Sequence, residues 1–203
     1  MKCFDTFTGF KFMAEKKNKL EESGEGKVIF SYEESYGYML GDYVRDKDAV
    51  TAALLLTEMA AWYAGQGMTL YDALQKCYEK YGYYGEKTLN LVMPGLDGLK
   101  KMADLMAGLR AEPPAELSGV KVLQRKDYKD GSVVDAATGE RSSMELSGSN
   151  VLRYELADGT SVIVRPSGTE PKVKVYILAN GASRAECDEK VAKYAAWAER
   201  LKQ

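Results

Sequence analysis

The residues best suited to chemistry lie in Arg165-Pro166-Ser167-Gly168-Thr169-Glu170-Pro171-Lys172. Arg165 offers a planar fork of donors, and Ser167 and Thr169 add hydroxyls. Gly168 frees the backbone for a positive φ and for close approach to a ligand. A concave set of donors of this kind suits the oxygens of a phosphate. No Gly-Lys-Ser/Thr follows and the next segment reads as strand, so this is not a Walker loop. The plainer reading is a hairpin turn with one exposed arginine. Glu170 is a misfit in an anion site, and its carboxylate is expected to turn away, toward Lys172 or Lys174.

A second candidate is Tyr32-Glu33-Glu34-Ser35-Tyr36-Gly37. A carboxylate can accept from two neighbouring sugar hydroxyls at once, so Glu33 beside Ser35 could grip a carbohydrate. A metal site is the rival, but adjacent glutamates point different ways and no Asp-x-Asp array supports them. A solvated acidic turn is the bland alternative. Thr8-Gly9 falls at a helix start, where unpaired amides can meet a polar ligand or where Thr8 simply caps. Lys47 also sits at a helix start, unfavourable against the dipole unless an anion is near. Arg45 either shares that anion or pairs with Asp42 or Asp48. The chain has no histidine, which removes Ser-His-Asp triads, phosphohistidine chemistry and imidazole metal ligands together.

These residues need a scaffold, and the apolar periodicity supplies one. Residues 9–22 read as a helix with Phe10, Met13 and Lys17 on one stripe. Lys27–Ser31 reads as a short buried strand and Ala49–Ala64 as a buried helix with Asp46 as its N-cap. Thr69 opens a further helix with a capping pattern, and Leu70, Leu74, Cys77 and Tyr81 form its core stripe. Lys87–Val92 alternates like a strand, and a helix follows Pro94-Gly95. Residues 120–123, 151–156, 161–164 and 173–178 are strands, the middle pair joined by an Asp158-Gly159 hairpin. Ser183 caps a closing helix with Cys187, Val191, Tyr194, Ala198 and Leu201 on one face. The Pro113-Pro114 stretch marks a boundary: residues 1–110 form one domain, 111–116 a linker and 117–203 a second.

At 203 residues and 45% apolar, the chain can hold one large globular domain or two small ones, and a formal charge of −2 argues against a general nucleic-acid binder. No secretory h-region or bilayer-length apolar run is present, and three scattered cysteines fit reduced thiols, which together point to the cytoplasm. A tyrosine-based structural or nucleic-acid interaction domain remains a further alternative.

Arg165-Pro166-Ser167-Gly168-Thr169-Glu170-Pro171-Lys172, with Thr8-Gly9-Phe10-Lys11 and Glu33-Glu34-Ser35 in the same order, closely resembles the α-D-phosphohexomutases, the phosphoglucomutase/phosphomannomutase family. The resemblance covers the whole chain but only the later part of the family's usual length. It is nearest to bacterial phosphoglucomutases and to related phosphopentomutases. Tyr32 stands where the family has glycine. The implied fold is the end of an α/β third domain with a mixed sheet, then a small α+β domain whose antiparallel sheet is packed by helix. The resemblance implies that Arg165, Ser167, Gly168 and Thr169 hold the non-reacting phosphate of a phosphosugar. It implies that Glu33 and Ser35 bind adjacent sugar hydroxyls, and that Thr8 and Lys47 contact the substrate. The family's phosphoserine loop and triple-aspartate magnesium loop are absent, so no catalytic or metal-ligating residue is expected here. Mg2+ and glucose 1,6-bisphosphate belong to the intact enzyme. The implied partners are a phosphosugar and the missing N-terminal domains, with no nucleic acid or membrane. A freestanding phosphosugar-binding module, and mannose or pentose specificity, stay open.

Overall fold

The computed structural model describes residues 2–41 and 43–202. The chain divides into two compact units, Met1–Lys76 and Cys77–Gln203.

In the first unit, α1 (Phe10–Glu22) forms over the expected span and buries Phe10, Ala14 and Lys17, spaced for one helical face. Lys17 is fully buried because its ammonium donates to the Gly41 carbonyl and lies 3.8 Å from Glu21. An antiparallel ribbon follows, β1 (Phe30–Tyr32) and β2 (Tyr38–Leu40), with Ser31 opposite Met39. The segment expected as a buried strand is short and half open: Ser31 faces inward, whereas Phe30 and Tyr32 are exposed.

The next helix, α2 (Ala49–Ala64), is capped by Asp48, whose side chain accepts from the Val50 amide at 2.9 Å. Asp46, the expected cap, instead accepts the Lys47 amide at 2.7 Å. Contrary to the expected buried helix, α2 contains no buried residue. Val50 is 79% exposed, Leu54 59% and Trp62 63%. The following helix, α3 (Leu70–Tyr81), opens on the expected capping box. The Thr69 amide donates to Asp72 at 2.8 Å, and the Asp72 amide donates back to Thr69 at 3.2 Å. Its predicted core stripe is largely open, since only Ala73 is buried and Cys77 is exposed. Periodicity identifies the apolar side of a helix but not whether anything lies over it.

The second unit is an antiparallel sheet packed by helices. Its elements are β3 (Tyr83–Val92), α4 (Gly98–Ala111), β4 (Glu116–Leu117), β5 (Val120–Asp127), β6 (Ser132–Asp135), β7 (Arg141–Ser143), β8 (Leu152–Leu156), β9 (Ser161–Pro166), β10 (Lys172–Gly181) and α5 (Arg184–Glu199). The strands run in the order β3-β10-β9-β8-β5-β6-β7, and β4 pairs with β5. Alternate residues make one apolar face: Leu89 and Leu91, Val173, Val175 and Ile177, Val162 and Val164, Leu152 and Tyr154. Met106 of α4 and Tyr194, Ala195 and Ala198 of α5 join the same core. Each such aliphatic side chain, fully buried, contributes roughly 1.5–3 kcal/mol.

The boundary at 111–116 is not where the chain divides. β3 pairs with β10 along its whole length, from Tyr83↔Gly181 to Val92↔Lys172, and Met106 belongs to the sheet's core. Residues 83–110 therefore fold with the second unit, and Pro113-Pro114 lies in the connection between α4 and β4 within it. Ala115 accepts from the Val122 amide at 2.9 Å just beyond those prolines.

Candidate functional site

The arginine stretch spans the connection between β9 and β10, as the flanking β-branched runs predict. Register holds to the loop's edge: Lys174 pairs with Arg165 and Val173 with Pro166, and the Ser167 amide donates to the Lys172 carbonyl at 2.9 Å. Because side chains alternate, Val164 and Val173 enter the core. Arg165, Ser167, Lys172 and Lys174 share the opposite face, away from α4 and α5.

Within the loop the Ser167 hydroxyl oxygen accepts from the amides of Thr169 at 3.4 Å and Glu170 at 3.3 Å. Both bonds are long, so these N–H groups are weakly held and suited to exchange for a stronger, charged acceptor. Glu170 is ion-paired to Lys172, which turns its carboxylate aside as expected. Gly168 differs from expectation: its φ lies outside the left-handed region, and a Cβ there would meet only open space. The loop does not need glycine for its own backbone.

In the first unit, three of the sequence's candidate segments converge on Phe10. An added Cβ on Gly37, at the end of the Glu33–Ser35 loop, would lie 2.6 Å from Phe10 Cε2 and 3.3 Å from Lys47 Cδ. The Lys47 ammonium stands 5.4 Å from the Phe10 ring centroid, within cation–π range. Thr8 lies two residues before Phe10, exposed, and α1 starts at Gly9 with no side-chain cap. The sequence reading missed Phe10 as this hub, although its place directly after Thr8-Gly9 was the available signal.

The Glu33–Gly37 loop closes through the Glu33 amide, which donates to the Gly37 carbonyl at 3.0 Å. Tyr36 adopts φ 67 at its tip, a left-handed conformation uncommon for a bulky residue. Among the described residues, neither the Glu33 carboxylate nor the Ser35 hydroxyl has a side-chain partner. Lys47 keeps a 3.3 Å contact with Asp46. The amide and ammonium of Lys47 hold the Asp46 carboxyl below its usual value. The Arg45 guanidinium bonds Glu21 at 3.0 Å and Asn18 at 2.7 Å, both on α1 and neither of them expected. Of its expected partners, Asp42 lies outside the described residues. Asp48 instead accepts from Tyr43, Val50 and Thr51. Among the described residues no group of three or more His, Cys, Asp or Glu could hold a metal ion, and no helix is long and apolar enough to cross a membrane.

Comparison with known proteins adds two results. A family model described as phosphoglucomutase/phosphomannomutase, alpha/beta/alpha domain III, matches residues 1–81, and one for the C-terminal domain of the same family matches residues 89–194. Among curated proteins, a phosphoglucomutase of Staphylococcus aureus strain N315 is 37% identical over 177 residues, covering 87% of this chain and 32% of that protein. One from S. aureus strain MRSA252 is 36% identical over 173 residues, covering 85% and 31%. One from Staphylococcus epidermidis ATCC 12228 is 35% identical over 173 residues, with the same coverage. The chain spans about a third of the length of these relatives. It belongs to the phosphoglucomutase/phosphomannomutase family and carries sequence of that family's domain III and C-terminal domain.

Proposed function

We propose that this chain is the phosphosugar-binding C-terminal portion of a phosphoglucomutase-type isomerase. The intact enzyme would interconvert hexose 1-phosphate and hexose 6-phosphate through a bisphosphate, with glucose 1,6-bisphosphate as cofactor, in the cytoplasm. The observation that carries this reading is the β9–β10 connection. Arg165 and Ser167 share one sheet face there, two weakly held amides line the turn, and Gly168 opens on empty space.

In this reading Arg165, Ser167, Gly168 and Thr169 hold the phosphate that is not being transferred. Glu33 and Ser35 accept and donate to adjacent sugar hydroxyls, and Thr8 and Lys47 contact the substrate from the segments around Phe10. An intermediate with a phosphate at each end must bind in two opposite orientations. One fixed site for the resting phosphate and one for the central hydroxyls serve both. Magnesium, implied for the whole enzyme, finds no cage among this chain's described residues. The sequence also lacks the serine loop that would carry the transferred phosphate, so the chain alone should not turn over substrate. Its partner is the rest of the longer protein, and the open apolar side of α2 supports that reading.

A few charge-assisted hydrogen bonds at roughly 1.5–3 kcal/mol each, less the cost of ordering, leave about 4 kcal/mol, or roughly millimolar affinity. Titration of glucose 1,6-bisphosphate into the chain, followed by amide chemical shifts, should show such binding, with shifts at residues 165–170. Arg165→Ala should weaken it by about tenfold or more. Equal affinities for the two proteins would overturn the assignment.

A further inference from the structure

We propose that the second unit carries a separate cleft for a small zwitterion, a molecule with an amine and an oxyanion on either side of an apolar stretch. The cleft encloses about 600 Å3, within the range of about 300–1,000 Å3 common to small-molecule sites. Its floor is one row of the sheet face turned away from α4 and α5. Glu86 of β3 pairs with Leu178 of β10, Leu178 with Ser161 of β9, and Ser161 with Glu155 of β8. Tyr84 of β3 and Tyr78 of α3 add two rings to the lining, and Arg153 joins it from β8. All of these residues lie in the second unit. The phosphate loop meets β10 at its other end: Leu178 is six residues beyond Lys172, roughly 20 Å along the strand.

The two ends of the row differ in charge. At the β8 end, Glu155 lies 3.0 Å from Lys126 and 2.8 Å from Arg153, and all three side chains are mostly buried. Two cations around one carboxylate leave one positive charge over, where little water screens it. Arg153 is held by a 3.1 Å bond to Ser161, yet its buried Nε makes no hydrogen bond despite the nearby carboxylate. At the β3 end, Glu86 is exposed and has no hydrogen-bond or ion-pair partner among the described residues. Two strand spacings separate the backbones of Glu86 and Ser161, about 10 Å. Between them Leu178 presents exposed apolar surface. An ammonium is drawn to Glu86 and to the tyrosine rings, a carboxylate or phosphate to Arg153, and the body between them displaces water from Leu178. Arg184 also lines the cleft, but its pairing with Asp188 at 3.1 Å cancels its charge. A phosphosugar has no cation to offer Glu86, so this cleft does not duplicate the loop site.

The test is a titration of 4-(aminomethyl)benzoate, a rigid zwitterion, into the 203-residue chain, read by amide chemical shifts, with benzoate and benzylamine as single-ended controls. The zwitterion should shift residues 84–86, 153, 161 and 178–180 and bind about three- to tenfold more tightly than either control. Glu86→Gln should abolish its advantage over benzoate and leave benzoate itself unaffected. Arg153→Gln should weaken the zwitterion and benzoate but not benzylamine, and Arg153→Lys, which keeps the charge, should retain most of the binding. Should Arg153→Gln fail to fold, Glu86→Gln decides alone, because Glu86 is exposed and anchors nothing. Arg165→Ala should change none of these affinities. A zwitterion that binds no better than the controls, an advantage that survives Glu86→Gln, or shifts confined to residues 165–170 would each overturn the proposal and leave the phosphate loop untouched.

Discussion

A single methyl group added at Gly37 would press against the Phe10 ring at 2.6 Å, where the ring is buried, and against the Lys47 stem at 3.3 Å. Overpacking of this kind typically costs about 1–3 kcal/mol. Gly37→Ala should therefore lower the unfolding free energy of the first unit by that amount and its urea midpoint with it, monitored through amide resonances of α1. An unchanged midpoint would mean that the loop simply moves aside and that Phe10 does not hold it. At this scale the sequence was a good guide to chemistry and a poor one to neighbours. The turn of Glu170 toward Lys172 followed from charge alone, because a carboxylate is drawn to a neighbouring ammonium. The bonds from Arg45 to Glu21 and Asn18, and from Lys17 to the Gly41 carbonyl, are not legible because these partners lie more than twenty residues away. No local pattern encodes such pairings. Of the two reasons read for Gly168, a positive φ and close approach to a ligand, the first does not apply, since its backbone would accept a side chain.

Helix α4 is tied to β5 by a two-pronged contact. Arg110 Nε lies 2.6 Å from Asp127 Oδ2 and its second nitrogen donates to Oδ1 at 3.0 Å, with both side chains mostly buried. Asp127 also accepts from the Lys129 amide at 2.9 Å. Arg110→Ala should thus leave the carboxylate short of its main partner and destabilise the second unit by roughly 1.5–3 kcal/mol. Chemical denaturation of the variant checks this, and a shift below a few tenths of a kcal/mol would show that water replaces the guanidinium without loss. Among the elements, caps and hairpins were the most legible. Thr69, Ser183 and the Asp158-Gly159 turn all act as their residue types require. The strands β6 and β7 were missed, since Arg141-Ser142-Ser143 is polar and fully exposed at a sheet edge and has no apolar alternation to detect. Pro113-Pro114 drew the domain boundary too late. A paired proline marks a break in helix or strand, but it cannot show that β3 upstream joins the same sheet as β10.

Across the second unit, two half-buried carboxylates set the response to acid. Burial pushes the Asp158 carboxyl upward, but the Tyr194 hydroxyl at 2.6 Å, the Thr160 amide and the Lys190 charge outweigh it and leave it below its ordinary value. Glu155 behaves alike: burial raises it, while Ser161, Lys126 and Arg153 together bring it down. A carboxyl depressed by folding contributes stability that is complete above its unfolded value, 3.8 for the aspartate and 4.5 for the glutamate. That stability is lost as pH falls through the folded value. Thermal unfolding should therefore vary little on account of these groups from pH 7 to pH 5 and decline below about pH 4. Asp158→Asn should flatten part of that decline, and an unaltered acid limb would remove Asp158 from the account. At this scale composition foretold a folded chain of one or two domains, but not which apolar surfaces are covered. The helix α2 was expected inside and lies open, with Trp62 63% exposed near its end. The sequence holds only two tryptophans, and Trp197 is partly buried against the sheet's core. Excited near 295 nm, the indole on α2 should emit at the long wavelengths of a hydrated ring, and a shift to the blue would signal that its water has been displaced.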